Sequence, residues 1–131
     1  TPDMTPAERD AAYLELEKKY RPYLSFDGIP YLEKGTRWQY QMHIYETPFY
    51  YIDYCLAQVV ALEFLVLSQE NYAEALDRYL EHCKRGGLYP FGKLVQFAGL
   101  RSPFEKGALS EVASSVETIL ASLRSAMNKE K

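Results

Sequence analysis

Histidine and cysteine are scarce in this 131-residue chain, two of each, and basic charge is not in excess. The histidines, His43 and His82, lie far apart, and neither has a second histidine four residues on. Zinc hydrolases use about three protein ligands, commonly two histidines one helical turn apart, so these residues alone do not assemble a metal site. Cys83 follows His82 directly and points about 100° away around a helix, which is poor geometry for a shared metal. Two cysteines, Cys55 and Cys83, are too few for a disulfide framework and fit free thiols in a reducing cytoplasm. In its apolar run, Cys55 has nothing to lower its pKa and is expected in the core. A net charge of −3 lacks the basic field of a nucleic-acid binder. Long hydrophobic runs are missing too. The stretch from Cys55 to Leu67 is broken by Gln58 and Glu63 and is too short for a bilayer, and the given sequence does not open on a basic segment followed by an apolar one. Neither nucleic acid nor membrane is therefore expected as a partner. Gly86-Gly87 has no Lys-Ser/Thr behind it, so it reads as a helix stop and not a phosphate loop. The chain also begins Thr-Pro-Asp-Met, without an initiator methionine, which fits either a piece of something longer or a processed start.

What is present is apolar and aromatic: 47% hydrophobic and 15% aromatic residues, enough to exclude disorder. The length suits one unit over residues 1–131. Thr5-Pro6-Ala7-Glu8 is a capping box with proline at the first helical position. The helix it opens runs to about Tyr20, with Ala12, Leu16 and Tyr20 on one face and Tyr13 beside them, and Pro22 ends it. Residues 25–36, with Asp27-Gly28, Pro30 and Gly35, read as an irregular connector. Thr47-Pro48 repeats the cap-then-proline signal and predicts a helix to about Leu67, apolar nearly all round and so mostly buried. After Ser68 to Asn71, a helix from Tyr72 to Lys84 carries Ala75, Leu76, Tyr79, Leu80 and Cys83 at helical spacing. A short helix after Pro90 turns Leu94, Val95 and Ala98 inward and stops at Gly99. The last helix runs from about Ala108 to Asn128, with Leu109, Val112, Ala113, Val116, Ile119, Leu120 and Leu123 in register. The charge runs Glu15 to Lys19 and Asn128 to Lys131 read as solvated. No stretch alternates with period two over strand length. The chain is predicted all-α.

The window from Trp38 to Tyr54, WQYQMHIYETPFYYIDY, holds five of the twelve tyrosines and one of the two histidines. A buried phenol must find a hydrogen-bond partner, so this is an unusual way to build a core helix. Tyr50, Tyr51 and Tyr54 stand three and four residues apart, so their hydroxyls can leave one helix face together, with His43 at the entry to it. Two readings stand. One is an aromatic core whose hydroxyls meet backbone carbonyls. The other is a polar site whose directed donors meet a developing oxyanion or a carbonyl.

Three stretches carry a resemblance. They are TPDMTPAERDAAYLELEKKY, YLEKGTRWQYQMHIYETPFYYIDYCLAQVVALEF and GGLYPFGKLVQFAGLRSPFEKGAL, in that order. Together they resemble the M3 zinc metallopeptidases, in the oligoendopeptidase F-like branch. The resemblance implies an all-helical catalytic domain with a deep channel that admits oligopeptides. It also implies a zinc ion held by the histidines of an HExxH helix and a later glutamate. No HExxH occurs here, so the chain resembles the C-terminal portion of such an enzyme, with zinc in the full-length protein and none expected in this piece. By the same resemblance, His43 corresponds to a histidine that binds the substrate backbone and Tyr54 to the tyrosine that stabilises the oxyanion. Tyr50, Tyr51 and Tyr45 fall among the substrate contacts. The thimet-like branch has a glycine-rich loop between the histidine and the tyrosines, where this sequence has Tyr45-Glu46-Thr47-Pro48, stiffened by proline.

Two functions from different classes follow. The first is a zinc metalloendopeptidase of oligopeptides, present as its C-terminal piece and inactive alone, with dimerisation expected through the opened cleft face. The second is a stand-alone helical module whose aromatic groove holds a peptide or partner helix.

Overall fold

The first helix begins where the sequence places it. In the computed structural model, which describes residues 2–129, α1 (Pro6–Tyr20) opens on the Thr5 capping box. The Thr5 hydroxyl accepts the Glu8 amide at 3.3 Å, and the Glu8 carboxylate takes the Thr5 amide at 2.7 Å. Those bonds hold the Glu8 carboxyl below its ordinary value. The Arg21 amide, bonded to the Glu17 carbonyl, closes the helix just before Pro22.

The face that α1 turns inward is not the expected one. Leu16 and Tyr20 are 52% and 68% exposed, whereas Asp10, Ala12, Tyr13, Leu14 and Glu17 are the sheltered positions, so only Ala12 and Tyr13 of the expected face turn inward. Two of the sheltered residues are carboxylates, and each meets a donor from a short 3₁₀ turn (Thr36–Tyr40). The Trp38 indole N–H donates to Asp10 at 2.7 Å, and the Arg37 guanidinium to Glu17 at 2.7 Å. A buried carboxylate is tolerated when it is paired in this way. Glu17 therefore sits inside a charge run that had read as wholly solvated. The other expected charge run ends in Glu130 and Lys131, which lie outside the described residues.

Gly35 explains how closely the turn approaches the helix. Its φ is +82°, and an added Cβ would fall 2.2 Å from the Asp10 carbonyl oxygen and 2.8 Å from the Leu14 Cβ. Gly35→Ala is expected to destabilise this unit by about 3 kcal/mol, because left-handed strain and an unrelievable backbone clash act together. The urea midpoint of the purified chain measures it, and an unchanged midpoint would contradict the close approach. The connector before Gly35 is irregular as expected, apart from a further 3₁₀ turn at Leu32–Lys34.

The helix expected from Pro48 starts only at Tyr51. Ahead of it lies a separate short helix, α2 (Met42–Tyr45), which carries His43. Thr47 and Pro48 open a turn instead, closed by the Tyr50 amide on the Thr47 carbonyl at 3.1 Å. Within that turn Phe49 has φ 70°, a left-handed conformation that cannot continue a helix and that a bulky residue rarely adopts. Tyr50 consequently lies outside α3 (Tyr51–Glu70) and does not share a helical face with Tyr54.

The molecule divides into two compact units between Tyr51 and Ile52. The second unit holds most of α3, then α4 (Tyr72–Arg85), α5 (Phe91–Phe97) and α6 (Ala108–Lys129). Asn71 caps α4 by accepting the Glu74 amide at 3.2 Å. Its buried centre consists of Val60, Ala75, Val95, Ala98 and Ala108. Val95 and Ala98 turn inward as their spacing predicts, and Gly99, with φ 66°, follows the end of α5. Buried Glu63 on α3 accepts the Arg101 amide, and burial pushes its carboxyl above the ordinary value. Arg101 also reaches Glu105 at 3.2 Å and Glu111, tying residues 101–107 to the start of α6.

Two expectations about α3 fail. Only Val60 and Glu63 are buried along it, and Cys55 is exposed. An all-round apolar helix signals burial only when elements cover every side, and those of this unit cover one. The helix is also longer than the run from Cys55 to Leu67, so by length and composition it could cross a bilayer. The outward faces of α4 and α6 are apolar as well: Leu76, Tyr79 and Leu80 on one, Leu109, Leu120 and Leu123 on the other. No strand occurs among the described residues, and the chain is all-α.

Candidate functional site

The site is built around His43, which α2 presents half-buried. Two phenol rings bracket its imidazole. Tyr50 lies parallel to it, with ring centroids 6.2 Å apart and an interplanar angle of 6°. Tyr51 meets it edge-on, at 4.9 Å and 89°. The Phe49 turn makes this bracket possible, since it stops a helix from carrying Tyr50 and Tyr51 onto adjacent helical positions. Parallel and edge-on contacts together restrict the ring's rotation, which is what a directed donor requires.

Beside the bracket lies a cavity of about 240 Å³, lined by Tyr13, Gln41, His43, Ile44, Phe49 and Tyr51. Sequence reasoning missed four of these as site residues: Tyr13, Gln41, Ile44 and Phe49. Tyr13 comes from α1, far away in sequence, and no local pattern marks it. Its burial, and behind that the nearby Glu17 carboxylate, push the phenol above its ordinary value of 10.0, against an opposing pull from Arg37. The hydroxyl is therefore a neutral donor at physiological pH. Glu17 also holds Arg37 fully charged, so the pair's charges offset one another next to the cavity wall.

The remaining expected site residues go elsewhere. Tyr45 stacks on Trp38, with centroids 6.0 Å apart and planes at 29°, and is not part of the cavity lining. Tyr54 sits one turn beyond Tyr51 on α3, in the second unit, and is 55% exposed. His82 serves the packing of the second unit. Its Nδ1 lies 3.3 Å from the Leu94 carbonyl oxygen and its ring meets Phe64 edge-on, joining α4 to α5 and α3. Among the described residues, no group of three or more His, Cys, Asp or Glu side chains is placed to hold a metal ion. The donors on hand are phenols, an imidazole and a carboxamide. They can hold a peptide backbone and meet developing negative charge.

No protein-family model and no curated protein matches the chain. Solved structures do. A PZ peptidase A determined with an inhibitor superposes with a TM-score of 0.83 and 50% identity, over 92% of this chain and 22% of its own. A candidate oligoendopeptidase F superposes with a TM-score of 0.82 and 48% identity, over 92% of this chain and 21% of its own. The chain thus spans about a fifth of the length of the solved peptidases it matches.

Proposed function

This chain belongs to the M3 peptidases, in the oligoendopeptidase F-like branch, and from that membership we propose that it works as the C-terminal part of a zinc metalloendopeptidase acting on oligopeptides. In this reading it contributes the wall of the active site that grips substrate and meets the oxyanion. The observation that carries it is the His43 bracket: an imidazole fixed between Tyr50 and Tyr51 at the edge of a cavity of single-side-chain size.

The described residues do not fit a zinc ion, because no group of three or more His, Cys, Asp or Glu side chains is placed to hold one. His82 is committed to the Leu94 carbonyl. We assign the metal to the rest of the longer protein and expect none to bind here. This chain's own residues act on the peptide. His43 donates a ring N–H to a substrate carbonyl and so fixes the backbone before reaction. Tyr51 and Tyr50 orient that ring and flank the bound segment, and Tyr45 stands further out on the same wall. Tyr54 supplies its hydroxyl where the scissile carbonyl gathers negative charge. A directed donor contributes most there, because its hydrogen bond strengthens only as the charge appears. The two free thiols, both exposed, agree with action in a reducing cytoplasm.

His43→Ala in the longer peptidase tests the grip. Removing a donor that serves both ground and transition states is expected to raise KM and lower kcat together, by about tenfold in each. Steady-state hydrolysis of an internally quenched oligopeptide reads both. If neither changes in a folded variant, His43 is an aromatic-core residue and the proposed wall is wrong.

A further inference from the structure

Phe49 breaks two rules at once. It holds a left-handed backbone, φ 70°, and leaves its ring 94% exposed. A bulky side chain in that conformation strains the backbone, and an exposed ring returns no burial to offset the strain. Strain of this kind persists where the surroundings enforce it, and here it sets the Phe49 ring at the rim of the cavity beside His43. Tyr13 forms the opposite kind of wall. It is sheltered and fixed on α1, whose inward face is locked by the Glu17–Arg37 pair at 2.7 Å.

The cavity's size and chemistry narrow what can enter. About 240 Å³ lies below the roughly 300–1,000 Å³ of pockets that take a whole drug-sized ligand. One large side chain fits; a folded peptide segment does not. The walls are three aromatic rings and the Ile44 side chain, with Gln41 and His43 as the polar members. No charged side chain lines the space, and the nearby charges on Glu17 and Arg37 are spent on each other. An Asp, Glu or Lys side chain entering here would lose water and meet no opposite charge along the lining. An aromatic ring would find edge and face contacts on several sides.

We propose that this cavity is a specificity pocket for one aromatic or large aliphatic side chain of the peptide substrate, with Tyr13 and Phe49 as its specificity-determining residues. The proposal rests on the peptidase reading above and adds the class of residue that the site selects. Phe49 covers the entering side chain, and Tyr13 supplies a ring, whose hydroxyl is dispensable for selection.

The test uses the longer peptidase and internally quenched oligopeptides that carry Phe, Ala, Asp or Lys at each position in turn. At one position, Phe is expected to exceed Ala, Asp and Lys in kcat/KM by tenfold or more. Tyr13→Ala and Phe49→Ala are expected to erase that preference, and Tyr13→Phe to retain it. An unchanged preference in folded Tyr13→Ala and Phe49→Ala proteins overturns the assignment. Equal losses for every peptide overturn it too, since they mark a purely structural role. A second measurement separates this failure from that of the peptidase reading. Binding of N-acetylphenylalanine amide, followed by NMR line broadening, is expected in the wild type, and loss of that binding is expected in both alanine variants. The aspartate analogue is expected not to bind. Absent hydrolysis with retained amide binding would overturn the peptidase reading and keep the pocket. Absent amide binding would overturn the pocket whether or not peptides are cleaved.

Discussion

Tyr54→Phe is expected to slow the longer peptidase by about 10²–10³-fold in kcat, with KM nearly unchanged, the loss typical of removing one oxyanion donor. The substitution removes one oxygen and leaves the ring, so packing along α3 is preserved. In the proposed role, what disappears is a hydrogen bond that forms at full strength only when the scissile carbonyl becomes an oxyanion. Such a bond contributes about 3–4 kcal/mol to the transition state and little to the ground state, which is why the effect falls on kcat. Tyr54 is 55% exposed on the first turns of α3. It contrasts with Tyr45, which is stacked on Trp38. Single-turnover hydrolysis of a saturating oligopeptide isolates the chemical step. Near-normal turnover in a folded, metal-loaded Tyr54→Phe enzyme would show that the hydroxyl serves packing alone, and the oxyanion role would pass to another donor.

The 131-residue chain by itself is expected to hydrolyse no peptide, with or without added zinc. Tyrosine and histidine donors stabilise charge only after a nucleophile has attacked, and no cluster of metal-ligating side chains is present among the described residues to generate one. The chain alone is also expected to self-associate. Ile52, Tyr54 and Leu65 are exposed along α3, and apolar patches larger than a few hundred Å² are uncommon on monomers. Incubation with zinc and a quenched peptide tests the first expectation, and light scattering at micromolar concentration tests the second. Metal-dependent turnover that follows the chain through purification would overturn the assignment of the metal to the remainder of the protein. A clean monomer would show that the exposed α3 face closes without a partner.

Sequence and tertiary structure divided this protein along a line set by the range of the interactions involved. The Thr5–Glu8 box, the stop at Gly86-Gly87 and the inward Val95 and Ala98 were all legible beforehand. Each depends on residues within a turn or two of one another, where cap chemistry and helical period act directly. The inward face of α1 was not legible, since Asp10 and Glu17 are sheltered only through donors that arrive from Trp38 and Arg37, 28 and 20 residues away. The same holds for Tyr13, which becomes a cavity wall only when α1 meets the segment bearing His43. Phe49 is the opposite case. Its left-handed turn is local, yet nothing in Thr-Pro-Phe-Tyr favours it over the helix that the proline signal predicts, so the surrounding structure must impose it. Residue pattern alone was enough for an all-helical chain, for the ends of α1 and α4 and for the peptidase-like string around His43, but not for the start of α3. Tertiary contacts decided which faces are buried and which rings surround the imidazole, because both depend on partners that only the folded chain brings within reach.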